Sequence, residues 1–418
     1  PKSMRCLLFS VAAAIARRSL AAIGHGKPPP GQEPPSPARP VIRTSLYFQG
    51  AGTQKEPVET GQRVRPLNSP LLRISVVTDA WYPQPNGVVR VMGTVVDRLR
   101  ALGHEVQVIS PNLFTTLPCP TYPEIRLSLF PGRGVAEMLD GFAPEAIHIA
   151  TEGPLGAAAR RYCKARNLPF TTAYHSKFPE YIHARAPFVP LGLLYRWIRG
   201  FHAPSSRIMV PSHSVHDELA AKGFTNLRPW SHGVDTDIFK PGPKDYLDHL
   251  NLPRPLFMFL GRVTVEKNLP AFLDLDLPGT KVVVGSGPAR EPLMAKYPKT
   301  PFFIADGDQD LVRYYNAADV FVFPSVTDTF GLVMLEALAC GVPVAAFPVT
   351  GPKDVIGAST VGILDTDLAR AAVTAQGIDP VLCREHALKF SWDTVVSEFV
   401  DYLAPFSPPQ EPSAQAAQ

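Results

Sequence analysis

The sequence predicts an α/β protein made of two doubly wound parallel-sheet domains. Three observations predict it. The chain is 418 residues long, more than one ordinary core can use, so two domains with tails are expected. Short apolar runs such as Ile74–Val77, Ala146–Ile149 and Val320–Phe323 are continuous rather than alternating, the pattern of strands buried on both faces. Each run is followed by a polar or glycine-bearing loop and then a helical stretch, the β-α-β repeat of a parallel sheet.

In chain order, residues 1–70 read as an extension outside the fold. Within the first fifty residues Lys2, Arg5, Arg17, Arg18, Lys27, Arg39 and Arg43 face Glu33 alone. The apolar run Leu7–Ile15 with basic flanks fits a targeting peptide and a disordered extension alike. The first domain is expected over 71–235. It opens with the strand Ile74–Val77, the loop Asp79–Gly87, a helix Val88–Leu102 stopped by Gly103, and the strand Val106–Ser110. It continues through the strand Ala146–Ile149, the helix Leu155–Arg166, the strands Pro169–Ala173 and Arg207–Val210, and the helix Val215–Lys222. Residues 236–254, rich in Pro, Lys and Asp, read as an interdomain linker.

The second domain is expected over 255–380, with strands Leu256–Leu260, Lys281–Val284, Phe302–Ile304, Val320–Phe323 and Val342–Ala346. Between the last two, Thr329 is placed to cap a helix over Phe330–Cys340, which Gly341 and Pro343 end. Residues 381–404, with Trp392 and Phe399, predict a C-terminal helix, and the Pro-, Gln- and Ala-rich 405–418 a disordered tail.

Composition narrows the function. A hydrophobic content of 45% with 19% charged residues is globular. A formal charge of +4 suits an anionic membrane or phosphates and is no nucleic-acid signature. Five cysteines, an odd number with no CxxC, point to a reducing compartment, so a cytoplasmic protein with no disulfide framework and no zinc site is expected. No apolar run is long enough to span a bilayer.

Four loops and one helix carry the chemistry. Gly87 ends the first loop just before a helix, where amide groups can approach a ligand, although a plain turn reads the same way. GRVTVEKN (261–268) follows a strand and sets Arg262 and Lys267 where both can reach a diphosphate; an exposed basic loop is the alternative. Gly285 and Gly287 in VVVGSGP permit close approach of a ligand. His175 in AYHSKFPEY ends a strand of the first domain and faces the cleft, or is structural. Asp328 precedes Glu336 by eight positions, which puts one carboxylate at the helix mouth and the other about two turns in. Glu336 sits between Leu335 and Ala337, so it is expected to be buried with hydrogen-bond partners.

Taken together, the loop Asn86–Arg90, GRVTVEKN and DTFGLVMLEALACGVPVAA (328–346) resemble glycosyltransferase family 4, over about 71–403. The resemblance implies the GT-B fold, two doubly wound domains facing across a cleft with the C-terminal helix returning to the first. It implies a retaining hexosyltransferase that takes a UDP- or GDP-linked sugar and needs no metal or other cofactor. Arg262 and Lys267 would hold the diphosphate, with Gly87, Gly261, Gly285 and Gly287 close to the donor. Glu336 would take the ribose hydroxyls; Asp328 and the amides of Phe330, Gly331 and Leu332 would take the sugar, with His175 beside it. Asp328 stands where the family usually has the first glutamate of its Glu-x7-Glu signature, one methylene shorter. The base is expected near Asp306–Asp310, by fold position.

TAYHSKFPEYIHAR (172–185) and IHIATEGPLG (147–156) resemble the branch that glycosylates diacylglycerol or related lipids, sulfoquinovosyl and mannosyl transferases among them. A lipid or sugar acceptor is therefore expected, with peripheral attachment to the inner face of the cell membrane. In PFVPLGLLYRWIRGFHAP (187–204), Leu191, Leu194, Tyr195 and Ile198 share one helical face, with Trp197 and Phe201 suited to an interface. A core helix of the first domain gives the same pattern. Competing functions are a nucleotide-sugar epimerase of the same fold, a glycosyltransferase with a soluble or polysaccharide acceptor, and a nucleotide-sugar binder without catalysis. A dinucleotide oxidoreductase is disfavoured because no GxGxxG follows the first strand.

Overall fold

The computed structural model of the chain describes residues 71–84, 86–119 and 122–407. The expectations for residues 1–70, and for the tail beyond residue 407, lie outside the described residues.

The first half is built on β1 (Arg73–Val77), β2 (Glu105–Ile109), β5 (Ala146–Ile149), β6 (Thr171–Ala173), β7 (Arg207–Val210) and β8 (Leu227–Pro229). They form one parallel sheet in the order β2-β1-β5-β6-β7-β8. A hairpin of β3 (Thr116–Cys119) and β4 (Tyr122–Ser128) stands apart from it, and the sequence reading did not find it. The second half uses β9 (Leu256–Leu260), β10 (Thr280–Val284), β11 (Phe302–Phe303), β12 (Val320–Phe323), β13 (Val344–Ala346) and β14 (Gly362–Leu364). Their order is β11-β10-β9-β12-β13-β14, again parallel. Each sheet winds outward in both directions from one strand. Each therefore has a switch point, between β1 and β5 and between β9 and β12, where ligands enter sheets of this kind.

The continuous apolar runs are buried on both faces, as expected. Met258, Leu260, Phe321 and Phe323 point to one side, against the helix Leu332–Ala339. Phe257, Phe259, Val320 and Val322 point to the other, against the helix Leu368–Ala375. The alternation is the two-residue strand period acting on a run with no polar member.

Several boundaries differ from expectation, each for a local reason. The helix expected over Phe330–Cys340 runs Leu332–Ala339 and its N-cap is Gly331, at φ +91°, not Thr329. The strand expected over Val342–Ala346 is Val344–Ala346. The stretch 381–404 is two helices, Pro380–Ala387 and Trp392–Tyr402, the second capped by Ser391. The break lets Cys383 and Ala387 pack in the second half while Trp392, Val395, Val396 and Phe399 join the first. Trp230 Nε1 donates to the Val395 carbonyl at 2.9 Å and fixes that return. Within 236–254, Phe239 and Leu247 are buried in the second core, anchors that the polar composition of the segment concealed.

The helix Leu191–His202 places Leu194, Tyr195 and Ile198 inside the first half, and Phe201 is buried too. The core alternative therefore holds for this apolar face, and Phe201 is no interface residue. Gly192, Leu193, Arg196 and Arg199 form its outer side. No described helix is long and apolar enough to cross a membrane.

Candidate active site

At the second switch point the loops after β9 and β12 lie side by side. Asn268 Nδ2 donates to the Pro324 carbonyl at 3.2 Å, and Ser325 Oγ and Thr327 Oγ1 both donate to the Glu266 carbonyl at 3.3 Å. These ties hold the two loops as one piece. A single 3-10 turn over Val265–Lys267, closed by Asn268 at φ +53°, aims Lys267 at the neighbouring loop. Its Nζ meets Asp328 Oδ1 at 2.5 Å, with the Phe323 ring centre 5.9 Å away. The other carboxylate oxygen, Oδ2, is buried and makes no hydrogen bond among the described residues. A carboxylate with one oxygen on an ammonium and one unsatisfied is a ready acceptor for a hydroxyl.

Glu336 is buried, as its apolar neighbours require, and it has partners. Oε2 accepts from the Tyr315 hydroxyl at 2.8 Å, and Oε1 lies 3.4 Å from Arg90 Nε of the first half. Burial first, and the Glu336 charge second, push the Tyr315 hydroxyl well above its ordinary range, so it stays a donor. Arg262 is half-buried beside Gly261. It acts electrostatically on Tyr181, whose hydroxyl is raised chiefly by burial and then by Asp328 and Glu266. Tyr181, on the helix Phe178–Arg185, thus shares the surroundings of Arg262 and Asp328.

The first half closes on this ground at several points. Thr329 Oγ1 donates to the His175 carbonyl at 2.7 Å. The Phe330 ring packs 5.0 Å from that of His232, and His175 lies 6.0 Å from Trp230 and 6.1 Å from His232. Burial, followed by His232 and His148, holds the His175 imidazole well below its usual range. It is therefore neutral, and its buried Nε2 has no hydrogen-bond partner among the described residues. Gly87 begins the helix Gly87–Ala101, capped by Asn86, and a Cβ there would meet Leu332 Cδ1 at 3.8 Å. Gly87, the His175 carbonyl and His232 of the first half thus meet Leu332, Thr329 and Phe330 of the second.

Two sets of expected donor-site positions are engaged within the chain itself. Gly285 and Gly287, at φ +145° and +150°, are read from sequence as leaving room for a ligand. What they approach is this chain's own backbone: a Cβ at Gly285 would lie 1.9 Å from the Gly261 carbonyl oxygen, and one at Gly287 2.4 Å from that of Val263. Of the acids in 306–310, Asp310 accepts from the Tyr246 hydroxyl and the Asp306 amide, and Asp308 pairs with Arg90 at 3.0 Å. Arg90, Tyr181, Thr329 and Tyr315 were missed as site residues. Arg90 and Tyr181 stood inside motifs that had been singled out, but nothing local to the sequence says what they reach across the cleft.

At the first switch point the chain fills the crevice itself. Asp79 accepts from the amides of Leu155 and Gly156 and from Thr151 Oγ1, while burial lifts its carboxyl to about 6. Burial holds His148 and His232 neutral down to about 3 and about 4. These groups give opposite pH dependences. The histidines contribute stability that is full above about 6.5 and is lost as pH falls through their folded values, about 3 kcal/mol each by pH 4. Asp79 contributes stability that is full below 3.8 and is lost as pH rises through about 6. Urea unfolding of wild type and His232→Phe at pH 7, 5.5 and 4.5 separates them. The stability gap should shift in favour of His232→Phe as pH falls, and a constant gap would contradict a neutral His232.

With this geometry in hand, the comparisons place the chain. Its first half matches the family model Glycosyltransferase Family 4 over residues 85–238, and its second matches Glycosyl transferases group 1 over 254–377. A GDP-mannose-dependent alpha-mannosyltransferase of Mycolicibacterium smegmatis is 28% identical over 368 residues, covering 79% of this chain and 96% of that protein. A sulfoquinovosyl transferase of Arabidopsis thaliana is 30% identical over 62% of this chain and 56% of its own length. An alpha-monoglucosyldiacylglycerol synthase of Streptococcus pneumoniae is 26% identical over 76% and 81%. Among solved structures, sucrose-phosphate synthase from Thermosynechococcus elongatus superimposes with a TM-score of 0.61 at 21% identity, covering 79% of this chain and 97% of that one. Anabaena HepE, solved with UDP and glucose, gives 0.60 at 14%, covering 79% and 98%. Fold and site together define a glycosyltransferase of GT-B fold. The chain belongs to the family 4 glycosyltransferases, and the relatives it resembles include a mannosyltransferase, a sulfoquinovosyl transferase and an alpha-monoglucosyldiacylglycerol synthase.

Proposed function

We propose that the chain moves a hexosyl group from a UDP- or GDP-linked sugar to a lipid hydroxyl such as that of diacylglycerol, with retention at the anomeric carbon and without a metal ion. The observation that carries this reading is the Lys267–Asp328 pair, 2.5 Å apart at the second switch point, with Arg262 on the same loop. Two cations at one strand end suit a diphosphate, and the unsatisfied Asp328 oxygen suits a sugar hydroxyl. Glu336 takes the ribose, and the amides of Phe330, Gly331 and Leu332 at the helix start take the sugar. Gly87 lies near the phosphates. His175, being neutral, gives the sugar a hydrogen bond and not a charge. Relatives support these donor and acceptor classes: one is a GDP-mannose-dependent mannosyltransferase, another an alpha-monoglucosyldiacylglycerol synthase.

The step is a front-face exchange. The bond from the anomeric carbon to the diphosphate oxygen breaks, and its electron pair leaves with the diphosphate. The acceptor oxygen bonds to the same face, and its proton passes to the leaving phosphate oxygen. Arg262 and Lys267 stabilise the charge that develops there. An anionic membrane would meet the outer side of Leu191–His202, where Arg196 and Arg199 lie exposed and Phe188 precedes them.

A thermal-shift panel of UDP-, GDP- and ADP-sugars tests the donor, since a bound donor raises the melting temperature by mass action. One base should stand out. That donor is then given to the protein with diacylglycerol vesicles or with soluble sugars, and the product anomer is read by NMR. Stabilisation by none of the donors, or transfer only to soluble acceptors, would sink the donor or the lipid part respectively.

A further inference from the structure

Arg90 belongs to the first half, on the helix Gly87–Ala101, yet its guanidinium serves the second. Nη2 lies 3.0 Å from Asp308 Oδ1, Nε lies 3.4 Å from Glu336 Oε1, and the group stacks on Phe239 with 5.1 Å to the ring centre. Tyr315 already holds the other oxygen of Glu336 at 2.8 Å. Both oxygens of the buried carboxylate are thereby engaged, one by a hydroxyl of its own domain and one by a cation from across the cleft. A ribose diol approaching Glu336 meets a carboxylate with no idle oxygen.

Of the two contacts, the one to Arg90 is built to yield. It is a single edge at 3.4 Å, longer than the 2.7–2.9 Å typical of a charge-assisted hydrogen bond, and it is not bidentate. Asp308 and the Phe239 ring give the guanidinium a place to remain when Glu336 turns to another partner. Other ties across the cleft persist without it: Thr329 to the His175 carbonyl, and the Ser214 amide to Asp354 Oδ1 at 2.9 Å.

We propose that Arg90 is a positioning residue for donor binding, a latch that occupies Glu336 across the closed cleft and is exchanged for the ribose when the donor enters. It acts through Glu336 and touches no reacting atom. Donor affinity is then the ribose–carboxylate contact less the coupling lost with Arg90. The inference rests on the assignment of Glu336 to the ribose, and its test keeps the two apart.

Uridine, guanosine and adenosine diphosphate are titrated by calorimetry into the full chain, and the tightest is carried forward. Arg90→Met should bind it more tightly than wild type, by about five-fold or more, the lower end of ordinary site-to-site coupling. Arg90→Lys, which keeps the charge, should return affinity toward wild type. On a Glu336→Gln background the gain from Arg90→Met should vanish. Equal or weaker binding by a folded Arg90→Met, or a gain that persists with Glu336→Gln, overturns the latch. If Glu336→Gln alone leaves the dissociation constant unchanged, the ribose assignment fails, and the latch with it. If Glu336→Gln weakens binding and Arg90→Met does not tighten it, the latch alone fails.

Discussion

Replacing Lys267 by alanine lowers kcat by about 10²–10³, the usual consequence of removing one preorganised group from a site of developing charge. The ammonium is one of two cations on the loop after β9, and a leaving diphosphate gains most of its charge while the anomeric bond breaks. The effect should therefore fall on kcat more than on KM. The structure adds a complication that sequence alone hid. Lys267 is also the partner of Asp328 at 2.5 Å, so the alanine variant leaves a half-buried carboxylate with neither oxygen hydrogen-bonded. Such a group costs about 1–3 kcal/mol of stability. The double variant Lys267→Met, Asp328→Asn removes the stranded charge and should recover the melting temperature without recovering turnover. Steady-state kinetics and thermal melts on the same preparations decide it. Turnover close to wild type in a folded Lys267→Ala protein would remove Lys267 from the proposed role.

How much could be read from the sequence depended on whether the cause was local. The strands were legible because LFMFL and VFVF are apolar at every position, which only a sheet covered on both faces permits. Glu336 was legible because a carboxylate between Leu335 and Ala337 must be buried and partnered. The partners themselves were not: Tyr315 stands twenty-one residues away and Arg90 in the other half. The break in the C-terminal stretch was hidden because apolar residues continue through Phe390, while the division follows from which core each half-helix joins. Tyr195 and Ile198 fit a membrane face and a core face equally by period, and only the packing against Ile208, Val210 and Leu219 chose between them. Thr329 had the composition of a helix cap, but the glycine at 331 can take φ +91° and begin the helix later. That freed the threonine hydroxyl to reach the first half.

Gly285→Ala should be among the most destabilising single-methyl additions in the second half, and its cause separates a structural glycine from a ligand-contacting one. Two costs add. At φ +145° an L residue is strained, and the new Cβ would lie 1.9 Å from the Gly261 carbonyl oxygen, a backbone atom that cannot swing away. Strain and overpacking at such a site each cost about 1–3 kcal/mol, so a loss of about 3 kcal/mol or more is expected. Gly307→Ala is the matched control, since that residue also has positive φ, +77°, but nothing lies within 4 Å of its added Cβ. The control should lose only the backbone term, about 1–2 kcal/mol. The difference between the two, measured by urea unfolding, reports the clash between the loops after β9 and β10. Because the Gly261 carbonyl would have to move, Lys267 on the same loop should shift with it, and the surviving folded fraction should bind nucleotide more weakly. A Gly285→Ala protein no less stable than the Gly307→Ala control would show that the loops can part at no cost. Gly285 would then revert to what the sequence suggested, a glycine kept small for a ligand.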